Sequence, residues 1–217
     1  MRQDETLSLL KNSIRRSVRA ARKALSDSER ADKSRLIGQH LAAAPFYREA
    51  AAVMAYAGYG SEVATEAIIR TALADHKDVS LPRVEGDTMH FIRIRAMDDL
   101  IEGYHGILEP RGLEIFDPLA TEGLVLLLMP GLAFDRNCHR LGQGGGFYDR
   151  YLAELARHCG DPGESFSKES TDRSRDIVTC ALAFNCQLVA EVPAEAHDQR
   201  PDFILTETEL IGDRHDI

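Results

Sequence analysis

The chain has 217 residues, 44% of them hydrophobic and 28% charged, with a net charge of −9. Those values describe one globular domain with room for a sizeable core. The acidic balance argues against a nucleic-acid partner, and the lack of any 18-residue apolar run argues against a membrane partner.

The first twenty residues are charged from Arg2 onward and lack an apolar signal core, so a cytoplasmic location is expected. Cys138, Cys159, Cys180 and Cys186 form no CxxC, which argues against a disulfide framework or a zinc ribbon. The Cys138-His139 and His158-Cys159 pairs match no usual zinc spacing. Cys180 lies in an apolar run and reads as a core residue.

Leu7, Leu10, Ile14, Val18, Ala21 and Leu25 recur at steps of three and four, which predicts an amphipathic helix. Lys11, Arg15, Arg19 and Arg22 follow the same steps and line one edge of it. A solvated face is the default reading of such a stripe, yet it stands out in so acidic a chain. Ser26-Asp27-Ser28-Glu29 is a capping box that opens a second helix, and Pro45 ends it. Residues 1–44 therefore read as a helical hairpin leading into a sheet.

Residues 51–56 form a buried strand, and Gly58-Tyr59-Gly60-Ser61 a loop. Thr65 is an N-cap for a helix over 66–74. A loop between a strand's C-terminal end and a helix is where α/β proteins place ligands. Strands follow at 79–84 and 89–94, and Pro82 implies an edge or a strand end. Residues 98–100 begin a short helical or loop segment, and 106–110 read as a loop.

The run Leu124-Val125-Leu126-Leu127-Leu128 suits a strand buried on both faces. Pro130 and Gly131 stop it, and a helix starts at Phe147. Between them stand Arg140, Leu141 and then Gly142-Gln143-Gly144-Gly145-Gly146. Glycines let several backbone N–H groups turn toward one anion, and the helix N-terminus adds its own. Arg140 supplies a full charge, and Asp149 in the first helical turn suits a metal riding on a phosphate. The loop is neither a Walker phosphate loop nor a clean GxGxxG, so a flexible turn remains the competing reading. Asp135 has two readings, an anchor for Arg140 or a turn carboxylate, and the turn is favoured.

Residues 158–176 are polar and read as a flexible surface insert. Strands at 178–184 and 201–206 close the chain. Strands and helices alternate, which predicts a single α/β domain over 1–217 with a mostly parallel sheet and helices on both faces.

The string Met129-Pro130-Gly131-Leu132-Ala133-Phe134-Asp135, with Arg140 to Leu152 after it, resembles the signature of the 5-formyltetrahydrofolate cyclo-ligase family. So do Lys11-Asn12-Ser13-Ile14-Arg15 (KxxxR), Glu62 to Thr65 (ExxT), Leu81-Pro82-Arg83, Gly106 to Pro110, Ala181 to Gln187 and His197-Asp198. The resemblance spans nearly the whole chain outside 158–176 and implies a three-layer architecture.

It further implies ATP-dependent closure of 5-formyltetrahydrofolate to 5,10-methenyltetrahydrofolate through a phosphorylated formyl oxygen, with ADP and phosphate released. Lys11, Arg15 and Arg140 would carry the catalytic charge. ATP would contact Lys11, Asn12, Ser13, Ile14, Arg15, Arg140, Leu141, Gly142, Gln143, Gly144, Gly145, Gly146, Phe147 and Tyr148. Folate would contact Glu62, Ala55, Gln143, Gly144, Gly145, Gly146 and Phe147. Asp149 and Asp198 would hold Mg²⁺, while Arg19 and Arg22 stay surface charges. A monomer or weak homodimer is expected. Three departures stand out: Gln143 where many members have Arg, Phe147 where Tyr is common, and Cys138 where Gly is frequent.

Overall fold

The computed structural model describes residues 3–103, 106–158, 177–195 and 198–213, with side chains from residue 5. The insert expected at 158–176 lies outside the described residues beyond His158, as do Cys159 and His197.

Helix α1 (Gln3–Ala24) leads to α2 (Asp27–Ala43) and the short α3 (Pro45–Glu49). Strand β1 (Ala52–Met54), helix α4 (Glu66–Ala74), β2 (Asp78–Glu85) and β3 (Thr88–Ile94) follow. A small pair, β4 (Leu100–Glu102) and β5 (Leu108–Pro110), precedes the central β6 (Val125–Met129). Next come β7 (Ala133–Phe134), β8 (Arg140–Leu141), α5 (Phe147–His158), β9 (Ile177–Leu182), β10 (Phe203–Leu205) and β11 (Leu210–Ile211).

The main sheet has the order β11-β10-β9-β6-β1-β2-β3. The five inner strands pair in parallel, while β3 and β11 run antiparallel at the two edges. Leu126 and Leu128 face α2, α3 and α4, whereas Val125, Leu127 and Met129 face α5. That alternation is the two-residue strand period applied to a run with no polar member. Burying each of these leucines is worth about 1.5–3 kcal/mol. The expected three layers are therefore present: helices, sheet and helix.

Three expectations are refined. The N-terminal helices do form, but they serve different surfaces. Helix α2, opened by the Ser26–Glu29 capping box, lies on the sheet, while Val18 of α1 packs with Leu132, Ala133, Leu141 and Val192. Thr65 stands at the N-cap of α4, as expected, but its side chain makes no cap hydrogen bond. Its hydroxyl accepts from the Gly58 N–H (3.0 Å) and donates to the Tyr56 carbonyl, tying the two ends of the β1–α4 loop together. Pro82 sits inside β2, but opposite Phe91 and beyond Ser80, where β1 pairing stops. Only one neighbour is present there, so the missing N–H breaks no ladder.

From β1 the chain moves to β2 on one side, and from β6 to β9 and β10 on the other. The order reverses between β1 and β6, and such a reversal opens a crevice at the strands' C-terminal ends. The loop carrying Glu62 leaves β1, and the glycine loop leaves the β7–β8 ribbon just after β6.

Candidate active site

Helix α1 crosses these loops and touches them with its basic edge. Arg15 Nε donates to the Gly142 carbonyl (3.1 Å), and Arg19 donates to Gln143 Oε1 (2.8 Å). Arg22 Nε donates to Ser61 Oγ (2.9 Å). The stripe is thus a set of tethers rather than a solvated face. Arg22 in particular is no surface charge, being 5% exposed. Burial pushes its pKa down, and Glu62 nearby offsets part of that loss.

A cavity of about 370 Å³ lies between α1, the glycine loop, α5 and the segment after β9. Among the expected residues, Lys11, Arg15, Arg140, Leu141, Gly142, Gly144, Gly146, Asp149 and Asp198 line it. Leu7, Ser8, Arg150 and Glu195 also line it, and sequence reasoning missed them. Leu7 shares the helical spacing of Lys11, a signal within reach of the sequence. Glu195 belongs to a segment without regular structure, and no spacing announces it.

Two of the four cations lining this cavity already meet carboxylates, while Arg15 and Arg150 donate to neutral oxygens. Lys11 is 8% exposed, and its Nζ donates to Glu195 Oε2 and Asp198 Oδ2, each at 2.7 Å. Burial alone would lower the ammonium's pKa, but the two carboxylates outweigh it and hold it above the usual value. Arg140 is 7% exposed and donates to Asp149 Oδ1 (2.6 Å), which also accepts from the Gln199 N–H (3.1 Å). Its guanidinium is fixed by the β7–β8 ribbon, whose turn is built around Asp135.

That carboxylate is fully buried and accepts from the N–H groups of Asn137, His139 and Val192 and meets His139 Nδ1 at 2.9 Å. Burial would raise its pKa, yet these donors hold it below the ordinary value. Asp135 is therefore a turn carboxylate. Cys138 in the same turn has φ +59°, a left-handed conformation that explains why glycine is frequent there. Gly144 and Gly146, at φ +112° and +65°, need the same freedom.

The other expected residues, the folate contacts Glu62, Ala55, Gln143, Gly145 and Phe147 among them, do not line this cavity. Asn12 and Ser13 are exposed, and Asn12 accepts from Arg15 Nη1 (2.9 Å). Ile14 packs beside Val18 in the core cluster under α1. Gln143 donates to Glu62 Oε1 (3.4 Å), joining the two loops. Phe147 carries the Arg150 guanidinium 4.9 Å above its ring, while Tyr148 lies under Arg140 and edge-on to Phe91. Ala55 is fully buried and supports the β1–α4 loop from below. The segment 106–110 contributes β5 to the small sheet and does not line the cavity.

Asp149 and Asp198 bring two carboxylates to one cavity. Among the described residues no group of three or more His, Cys, Asp or Glu side chains is placed to hold a metal. Two carboxylates short of a full ligand set fit Mg²⁺, which is commonly shared with phosphate oxygens and water.

A family model described as the 5-formyltetrahydrofolate cyclo-ligase family matches residues 8–207. The chain belongs to that family. The cyclo-ligase of Mus musculus is 28% identical over 213 residues, covering 93% of this chain and 96% of the mouse protein. That of Escherichia coli K12 is 26% identical over 184 residues, covering 83% and 91%. The structure of Aquifex aeolicus 5,10-methenyltetrahydrofolate synthetase is similar with a TM-score of 0.74 at 27% identity, covering 96% of this chain and 94% of that one. Among the described residues of this cyclo-ligase family member, no helix is long and apolar enough to cross a membrane.

Proposed function

We propose that this chain catalyses the ATP- and Mg²⁺-dependent conversion of 5-formyltetrahydrofolate to 5,10-methenyltetrahydrofolate, as an ATP-driven ligase that closes a C–N bond. Family membership over residues 8–207, together with the paired charges of the cavity, carries the reading.

The N-formyl carbon is a poor electrophile, because the N5 lone pair delocalises into its carbonyl, and its oxygen is a poor leaving group. Transfer of the γ-phosphoryl to that oxygen gives an iminophosphate. N10 then attacks the same carbon and loses its proton, the C–O bond breaks, and phosphate departs with the formyl oxygen. ADP and phosphate are the co-products. The protein needs no covalent nucleophile for this. Its tasks are to neutralise phosphate charge and to hold the formyl oxygen in line with the γ-phosphorus.

Lys11, Arg15, Arg140 and the N–H groups of Gly142 to Gly146 suit the first task. The Arg forks match phosphate oxygens bidentately, and Lys11 acts as a point charge. Asp149 and Asp198 would hold the metal, which supplies further neutralisation of phosphate charge. Glu62, Gln143 and Phe147 suit the second task, on the folate side of the glycine loop. Asn12 orients Arg15, and Tyr148 backs Arg140.

The test is to mix the protein with 5-formyltetrahydrofolate, Mg²⁺ and ATP, and to follow near-UV absorbance of the product alongside ADP. Equal amounts of methenyl product and ADP are expected. ADP without methenyl product would mean a kinase, and folate binding without ADP would mean a binding protein.

A further inference from the structure

Arg22 is the most buried charge on α1 that the reaction above does not use. Among the described residues its guanidinium makes one hydrogen bond, from Nε to Ser61 Oγ, and its buried Nη1 has no partner. Glu62 is the next residue along that loop and interacts with Arg22 electrostatically, but among the described residues no ion pair joins the two. The Tyr148 hydroxyl, which also feels the Glu62 charge, is likewise buried without a partner among the described residues. A guanidinium offers five donors and no acceptor. A buried charged donor left unsatisfied is destabilising, and a structural brace would be better served by an apolar side chain. Such a donor suits an acceptor that arrives with a ligand.

Resting on the reading of Glu62 as a folate contact, we propose that Arg22 is a substrate-binding residue that forms, with Glu62, a donor–acceptor pair for the 2-amino-4-oxo edge of the pterin. The Glu62 carboxylate accepts from the 2-amino group and N3–H, and the Arg22 fork donates to the 4-oxo oxygen. Both residues are brought to one place by the Ser61 tether. The pair reads the edge of the ring remote from N5 and N10, so it fixes the substrate's orientation without touching the reacting atoms.

The test uses Arg22→Met, with calorimetric affinities for 5-formyltetrahydrofolate, its 4-amino-4-deoxy analogue and ATP, and the Tm of the free protein. Folate affinity should fall about ten- to a hundredfold, the loss expected for a charged hydrogen bond. ATP affinity should stay within about twofold and Tm should not fall, since the variant removes an unsatisfied buried charge. Wild-type preference for the 4-oxo ligand over the 4-amino ligand should shrink at least tenfold; the altered N3 acts on Glu62 in both proteins and cancels in that ratio. Equal losses for both ligands, or unchanged folate affinity, would overturn the proposal, as would a drop in Tm that Arg22→Lys restores without restoring the 4-oxo preference. Should Arg22→Met not fold, Arg22→Lys carries the same ligand comparison, because it keeps the charge and loses the fork. Glu62→Gln, measured in parallel, separates two failures. If it weakens folate binding while Arg22→Met does not, only the Arg22 assignment falls; if neither does, the Glu62 reading falls first.

Discussion

The two ends of the basic edge on α1 hold charge in opposite ways. At the first end, Lys11 and the neighbouring Arg140 of β8 each already meet a carboxylate: Glu195 and Asp198 for the lysine, Asp149 for the arginine. Eleven residues on, about 16 Å along the helix, Arg22 is as deeply buried but meets no carboxylate among the described residues, and its Nη1, like the Nε of Arg140, has no hydrogen-bond partner there. The first end is balanced in the free protein, so a polyphosphate must exchange partners with its carboxylates to bind. In the proposed reading, a metal that took those carboxylates would make the exchange favourable. In the proposed reading the second end, which lacks a carboxylate partner, would take a neutral ring edge that brings one acceptor, and one helix would then prepare two ligand sites by two different electrostatic arrangements.

The sharpest way to break the comparison is to remove a cation from the balanced end. Arg140→Ala should lower kcat/KM about a thousandfold, the cost of losing a charge that stabilises the transferring phosphoryl group. Folate affinity, measured by calorimetry without ATP, should stay near wild type.

The support beneath that end can be removed separately. Asp135→Asn loses a buried carboxylate that holds four donors, and should destabilise the fold by about 2–3 kcal/mol in urea unfolding at pH 7. Because the native pKa of Asp135 is depressed, its contribution is present above the unfolded value and fades as pH falls through the folded one. The gap between wild type and variant should therefore narrow below the ordinary aspartate value of 3.8.

Lys11→Ala should weaken ATP binding about tenfold or more while leaving folate binding within about twofold. The same titrations test the exchange: Mg²⁺ should tighten ATP binding to the wild-type protein at least tenfold, and much less in Asp149→Asn. The smallest effect is expected at the join between the two ends. Gln143→Ala removes exposed hydrogen bonds to Arg19 and Glu62, and should change the KM for folate by no more than about threefold.

The sequence was most legible where one physical requirement dominates a run of residues. The apolar run at 124–128 suits a doubly covered strand, and the capping box at Ser26 marks a helix start, and both formed. The glycine loop announced itself because Gly144 and Gly146 need left-handed backbone, while its helix and Arg140 lie close in sequence. Thr65 was placed correctly before α4, but its hydroxyl does not cap the helix, because the tertiary need to tie the loop at Tyr56 and Gly58 prevailed. Arg22 was misread because helical periodicity gives a face but not what covers it. The loop that buries Arg22 comes from residue 58 onward, far along the chain. Glu195 was missed for the same reason: its partner Lys11 is 184 residues away.

The measurement that bears most directly on the account is the fate of the formyl oxygen. We would label that oxygen with ¹⁸O, supply ATP and Mg²⁺, and analyse the released phosphate by mass spectrometry. If the two sites on α1 bring the γ-phosphoryl to the formyl oxygen, each inorganic phosphate formed carries one ¹⁸O, in step with methenyl product. Methenyl product with the label released into water instead would contradict phosphoryl transfer to that oxygen, and with it the roles given to the balanced end of the helix.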